Sequence, residues 1–150
     1  MSRIPKAALW LGLAGLLPFV WGALLVQGLS PSAEWRLPTA LTGDGRVVML
    51  GYGGIILSFM AGVLWGFATK AQGPRAPLAY ALSVLPALWW FLAPPASHSA
   101  ALINLVVGFL GLLLLDYVFA KWALTPPWWM SLRVLLTAIV VVCLLIGVLS

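Results

Sequence analysis

Reactive side chains are scarce in this sequence, and their spacing limits the chemistry they could share. Three acids (Glu34, Asp44 and Asp116), one histidine (His98) and one cysteine (Cys143) make up the inventory. Nucleophilic catalysis needs a nucleophile, a base and a group that orients the base. Cys143 lies inside the last apolar run, His98 in the segment PPASHSA, and Glu34 and Asp44 in a third segment. The sequence offers no convergence among them. The signatures of zinc peptidases, nucleophile elbows, phosphate loops and dinucleotide folds are missing as well. No catalytic residue is assigned, and an enzyme is not expected. A lone histidine falls short of the several ligands that zinc or haem sites gather, so neither a metal nor another cofactor is expected. Ser97 and Ser99, which flank His98, suit a helix N-cap instead.

The most pointed chemistry is the pair Asp116 and Arg133. Asp116 is the only acid in any apolar run, within LLLLDYVFAKWAL, and lies five residues before Lys121. That places it roughly 7 Å inside the end of a helix. The chain turns through TPPWW and re-enters with SLRVLL, which carries Arg133 at a similar depth. An antiparallel hairpin would bring the two together as an ion pair. Polar groups in hydrocarbon need partners and mark functional sites by default; the others in apolar runs are Ser58, Ser83, Asn104, Thr137 and Cys143. A proton relay or substrate counter-ion is the sharper reading of Asp116. A relay needs a chain of ionisable groups across the bilayer, and nothing continues the path here. The structural reading is therefore preferred.

The elements that must position this pair are membrane helices. The chain has 150 residues, 63% hydrophobic and only 7% charged, with a mean hydropathy of +1.10. Soluble domains carry roughly 25% charged residues. Five segments pass the length test for a transmembrane helix, roughly 17–25 apolar residues: about 7–29, 47–69, 77–94, 99–120 and 131–149. The expectation is an all-α, polytopic membrane protein with five transmembrane helices forming one domain over residues 1–150. The connectors SPSAEWRLPTALTGDGR, KAQGPRAP, APPASHS and TPPWW carry the prolines and glycines that stop helices. The first apolar stretch exceeds the roughly 7–15 residues of a secretory h-region and is expected to remain as an anchor.

The net charge of +5 does not form a basic stripe, because the eight lysines and arginines are scattered singly. Nucleic acid is not an expected partner. The charges read as topology. Arg3, Lys6, Lys70, Arg75, Lys121 and Arg133 fall on one side, and only Arg36 and Arg46, diluted by Glu34 and Asp44, on the other. The positive-inside rule then puts the N-terminus in the cytoplasm and the C-terminus outside; with a bacterial inner membrane as the expected location, that outside is the periplasm.

Without a hydrophobic drive between helices in lipid, small residues that permit close approach dominate packing. Gly54, Ser58, Gly62 and Gly66 recur every four residues in GGIILSFMAGVLWG and are expected to form such a seam. Gly12, Gly15 and Gly22 thin the first helix, and Gly108 and Gly111 the fourth. Pro18 and Pro86 fall inside the first and third spans and are expected to kink them. Of the nine tryptophans, Trp35, Trp122, Trp128 and Trp129 fall at helix ends or in loops and suit interface anchoring, while Trp10, Trp21, Trp65, Trp89 and Trp90 are deeper or less clearly placed. A pocket using Trp65, Pro18 and Pro86 near Asp116 is the alternative expectation to pure packing.

The stretches IPKAALWLGLAGLLPF, YGGIILSFMAGVLWGFA, SVLPALWW and LLLLDYVFAKW resemble, in order and spacing, a family of unknown function that includes transmembrane protein 69. The resemblance covers essentially the whole chain. It implies a multi-helix membrane protein, bacterial or mitochondrial, and no established activity. Tryptophan-rich sensory (translocator) proteins share the span count and tryptophan abundance, but their proline-rich first loop and Trp/Tyr-Met-Gly pattern are not seen. The sequence as a whole points to a non-enzymatic membrane subunit in contact with lipids, with other membrane-protein subunits or with itself. The alternative is a binder or transporter of a small lipid-like or porphyrin-like ligand with a site near Asp116.

Overall fold

A computed structural model of the chain describes residues 3–93 and 96–150. Seven α-helices build five spans, and no strand occurs among the described residues. The first span, Lys6–Val26, is made of α1 (Lys6–Ala14) and α2 (Leu17–Val26). The second and fourth are the single helices α3 (Gly45–Ala68) and α6 (His98–Lys121), and the fifth is α7 (Trp129–Leu149). The third, Arg75–Leu92, is made of α4 (Arg75–Ser83) and α5 (Leu85–Leu92). These bounds fall within three residues of those expected from the sequence; the expected end at Pro94 and the Pro94–Pro95 part of its connector lie outside the described residues. At 1.5 Å per residue, spans of 18 to 24 residues cover about 27–36 Å, which matches a hydrocarbon core of roughly 30 Å.

Local chemistry explains the boundaries. Asp44 caps α3 by accepting from the Arg46 amide at 2.9 Å, and Ser97 caps α6 by accepting from the Ala100 amide at 3.1 Å. Both side chains satisfy a donor that a helix N-terminus leaves free. Helix α6 ends at Lys121 and is closed by Ala123, whose φ of 59° lets the Leu124 amide reach back to the Phe119 carbonyl at 3.0 Å. That is the left-handed close of a helix, here made without glycine.

The two intra-span prolines do more than bend their helices. Pro18 and Pro86 each sit in the first turn of a new helix, α2 and α5, after a short interruption. Proline removes a donor and so leaves a carbonyl one turn back without its helical partner. At the first break the Tyr52 hydroxyl donates to the Gly15 carbonyl at 2.8 Å, so a side chain of α3 stabilises the interruption.

Helices α3 and α6 form the centre, and the densest packing is between α6 and α7, α2 and α3, and α3 and α6. Met49, Leu57, Leu64, Leu102, Leu105, Phe109 and Leu112 are fully or almost fully buried. Phe19 meets Tyr52 and Phe109 edge-on, with centroids 5.2 and 5.9 Å away, the favourable arrangement for ring quadrupoles. Glycine permits the closest approaches. A Cβ on Gly45 would collide with the Gly22 carbonyl, and one on Gly54 with the Trp90 indole.

The expected seam on α3 is divided by this packing. Gly54 is buried against Trp90 of α5, whereas Ser58, Gly62 and Gly66 are exposed, with open space where a Cβ on either glycine would stand. The reason is angular. Steps of four residues advance about 40° beyond a full turn, so a row that starts on the buried face rotates out of it. The internal glycine contacts are instead made at Gly22, Gly45, Gly53, Gly54, Gly108 and Gly147.

Candidate functional site

Helices α6 and α7 are antiparallel and are joined by the turn that Ala123 initiates. Asp116 is wholly buried on α6, and Arg133 is 4% exposed on α7. Arg133 Nε donates to Asp116 Oδ2 at 2.8 Å, and Trp129 Nε1 donates to Oδ1 at 2.9 Å. Both carboxylate oxygens therefore accept a hydrogen bond. Charge-assisted bonds of this length are stronger than neutral ones, and the pair as a whole is neutral, which lowers the penalty of placing either charge in hydrocarbon. Sequence reasoning placed Trp129 among the interface anchors. Its indole belongs to this cluster, held edge-on by Phe67 of α3 at 5.0 Å.

Arg133 does not spend its whole guanidinium on Asp116. Nη2 is buried and has no hydrogen-bond partner among the described residues, and the same holds for Thr137 Oγ1. Thr137 stands four residues after Arg133 and so shares its helix face. Both residues line a cavity of about 190 Å³ whose other walls include Leu16, Phe19, Met60 and Phe109. The cavity sits beside the break between α1 and α2.

The alternative pocket expected from Trp65, Pro18 and Pro86 is not assembled. Trp65 is 49% exposed and lies against Tyr80 of α4, with centroids 4.7 Å apart. Its neighbours Leu64 and Ala68 point into the core instead. Pro86 is buried and lines an apolar groove between α5 and α6 with Trp89 and Gly108. Pro18 remains at the α1–α2 break, separated from both.

At the opposite end of the bundle, His98 Nδ1 stands 3.6 Å from Asp44 Oδ2, and Arg46 Nη1 stands 3.7 Å from Asp44 Oδ1. This corrects the expectation that the histidine and the acids lie apart. Both residues start helices that run side by side, α3 and α6, so their N-termini meet. All three side chains are at least partly exposed, and Asp44 is already occupied in capping α3. Among the described residues, no group of three or more His, Cys, Asp or Glu could hold a metal ion. Cys143 is buried on α7.

Five apolar helices around a buried ion pair define a polytopic integral membrane protein. The family model described as "Protein of unknown function (DUF3429)" matches residues 4–149, and the chain belongs to that family. It is 35% identical over 149 residues to transmembrane protein 69 of Xenopus tropicalis, covering 94% of this chain and 53% of the relative. It is 28% identical over 139 residues to transmembrane protein 69 of Mus musculus, covering 90% of this chain and 52% of the relative. The chain thus spans about half the length of the relatives it matches. No solved structure matches it.

Proposed function

We propose that the chain acts without catalytic chemistry, as an accessory or assembly subunit that docks a transmembrane helix of another membrane protein against the outer face of α3. One observation carries the reading. Gly51, Ser58, Gly62 and Gly66 are all exposed, with open space at each glycine Cβ position, while large side chains such as Ile55 and Phe59 stand beside them. Bare backbone between apolar ridges is the surface that a second helix packs on most closely in lipid. The buried glycines of the same helix each already have a neighbour. The scattered positions of Cys143, His98 and Glu34 support the absence of catalysis.

The accompanying placement is a bacterial inner membrane with the N-terminus in the cytoplasm, supported by six basic residues on one side against two on the other. Reporters fused after Ser150 test the orientation: a periplasmically active one should report, and a cytoplasmically active one should not. The docking is tested with Gly62→Leu. In mild detergent the wild type should migrate on native gels as part of a larger species containing a second protein. The variant should keep its melting temperature and migrate as the isolated chain. Unchanged migration of Gly62→Leu, or a wild type that migrates alone, would overturn the reading. A larger species made only of this chain would show the partner to be a second copy.

A further inference from the structure

We infer that the cavity beside Arg133 and Thr137 is a binding site for an uncharged lipophile that presents a carbonyl oxygen, with a quinone head group as the kind that fits best. The inference rests on Arg133 and Thr137 and not on the small-residue row of α3, although Phe59 borders both surfaces.

The polar end of the site is specified by two unpartnered groups. Arg133 is 96% buried and Thr137 98% buried (4% and 2% exposed). Guanidinium Nη2 has only hydrogens to offer, and the threonine hydroxyl donates or accepts. Neither has a partner among the described residues. Leaving a buried donor unpaired is costly, and more so for a charged group. Both residues line the cavity, so a ligand that fits it gains by bringing an acceptor oxygen to this end.

Charge narrows the class. The positive charge of Arg133 is already balanced by Asp116, at 2.8 Å. A carboxylate or phosphate would leave the site with a net negative charge in an apolar surround, which is strongly unfavourable. A neutral carbonyl meets the free hydrogen without that penalty.

Depth and shape narrow it further. Helix α7 begins at Trp129, so Arg133 and Thr137 stand about 6 Å and 12 Å along it. With 21 residues this span reaches across the hydrocarbon core, and its first residue lies close to the core boundary. The ester carbonyls of ordinary lipids sit at that boundary, shallower than Thr137. A carbonyl that travels within the hydrocarbon suits the depth better. The volume of about 190 Å³ exceeds the roughly 150 Å³ that accommodates a benzene ring. The walls are aliphatic and aromatic, and the lining includes Leu11 of α1 and Phe59 of α3, which are 74% and 65% exposed. The site thus opens sideways toward lipid between α1 and α3, and an apolar tail has a way out. The break between α1 and α2, held by Tyr52, makes the room.

The test uses the full chain in phosphatidylcholine nanodiscs, with partition into protein-free nanodiscs subtracted. The probes are a benzoquinone carrying a ten-carbon tail, a monoacylglycerol and a fatty-acid anion. Saturable binding of the benzoquinone at one site is expected, with the anion at least tenfold weaker. Thr137→Val removes the hydroxyl at nearly constant shape and should weaken binding about fivefold to tenfold. Val140→Phe fills the cavity and should abolish binding while the melting temperature holds or rises. A monoacylglycerol that binds more tightly than the quinone, with the same sensitivity to Thr137→Val, would support the carbonyl class and assign the source to lipid esters. No saturable binding of either neutral probe would overturn the inference. So would affinities unchanged in both variants.

Discussion

Helix α7 carries an arginine through the apolar bundle, whereas helix α3 carries a row of small residues along its outside, and the chain treats the two in opposite ways. Around Arg133 an acid, an indole and a cavity are gathered from α6, α7 and the α1–α2 break. Around Gly62 and Gly66 no other helix comes within contact of a Cβ position, and Ser58 beside them is exposed. The difference follows from the solvent. In lipid a buried charge without a partner is very costly, but a bare glycine facing an acyl chain forgoes only a modest amount of contact. The polar cluster is therefore built within one chain, and the small-residue face is left for whatever approaches it.

The largest effect should come from unbalancing the polar cluster. Asp116→Ala leaves Arg133 buried without its counter-charge, and breaking a buried pair from one side costs about 3–5 kcal/mol. Unfolding of the detergent-solubilised variant, followed by circular dichroism, should show that loss. The double variant Asp116→Leu/Arg133→Met should recover most of it, because a buried pair replaced by apolar residues is often neutral. If the double variant were as unstable as the single one, the cluster would be stabilising through more than charge balance, and the contrast with α3 would sharpen further.

Much of this contrast was legible in the sequence. The five spans follow from composition and length. The start of the fourth follows from Ser97, and the interruptions follow from Pro18 and Pro86. The Asp116–Arg133 pair was legible because two charges in one short hairpin of apolar helices have no other neighbours to satisfy them. The exposed face of α3 was not. In soluble proteins the polar face of a helix reveals its orientation, but in lipid the inward and outward faces are both apolar. Gly54 and Gly62 look alike in the sequence and differ only once Trp90 is placed. Trp129 was misread for a related reason: an indole at a helix end suits the interface equally well, and its donor role depends on where Asp116 points. Thr137 was only one of several small polar residues until the structure placed it with Arg133 on the wall of one cavity. The approach of His98 to Asp44 depends on α3 and α6 starting at the same level, which no local motif encodes.

An intermediate effect should separate the two kinds of glycine. A methyl group on Gly45 would meet the Gly22 carbonyl and Val26, which are backbone and a branched side chain with little room to yield. Overpacking of this kind typically costs about 1–3 kcal/mol. A methyl group on Gly62 meets nothing, and alanine favours the helix over glycine by up to about 1 kcal/mol. Gly45→Ala should therefore lower the melting temperature in detergent, and Gly62→Ala should leave it unchanged or raise it. Equal losses at both positions would mean that the outer face of α3 is covered within the isolated chain, and the difference between the two regions would disappear.

The smallest effect concerns Tyr52, which links the two regions because it sits on α3 and serves the break beside the Arg133 cavity. Its hydroxyl donates to the Gly15 carbonyl at 2.8 Å, next to the interruption that Pro18 imposes. Tyr52→Phe removes that single bond while the ring keeps its edge-on contact with Phe19. Hydrogen bonds between membrane helices average about 0.6 kcal/mol, so the melting temperature should fall only slightly. The informative readout is local. With the Gly15 carbonyl released, amide exchange should accelerate at residues 15 to 20 and not along α7. If exchange rose equally along both helices, Tyr52 would be supporting the bundle as a whole. A rise confined to the break would place the hydroxyl as the pin that holds the cavity wall in shape.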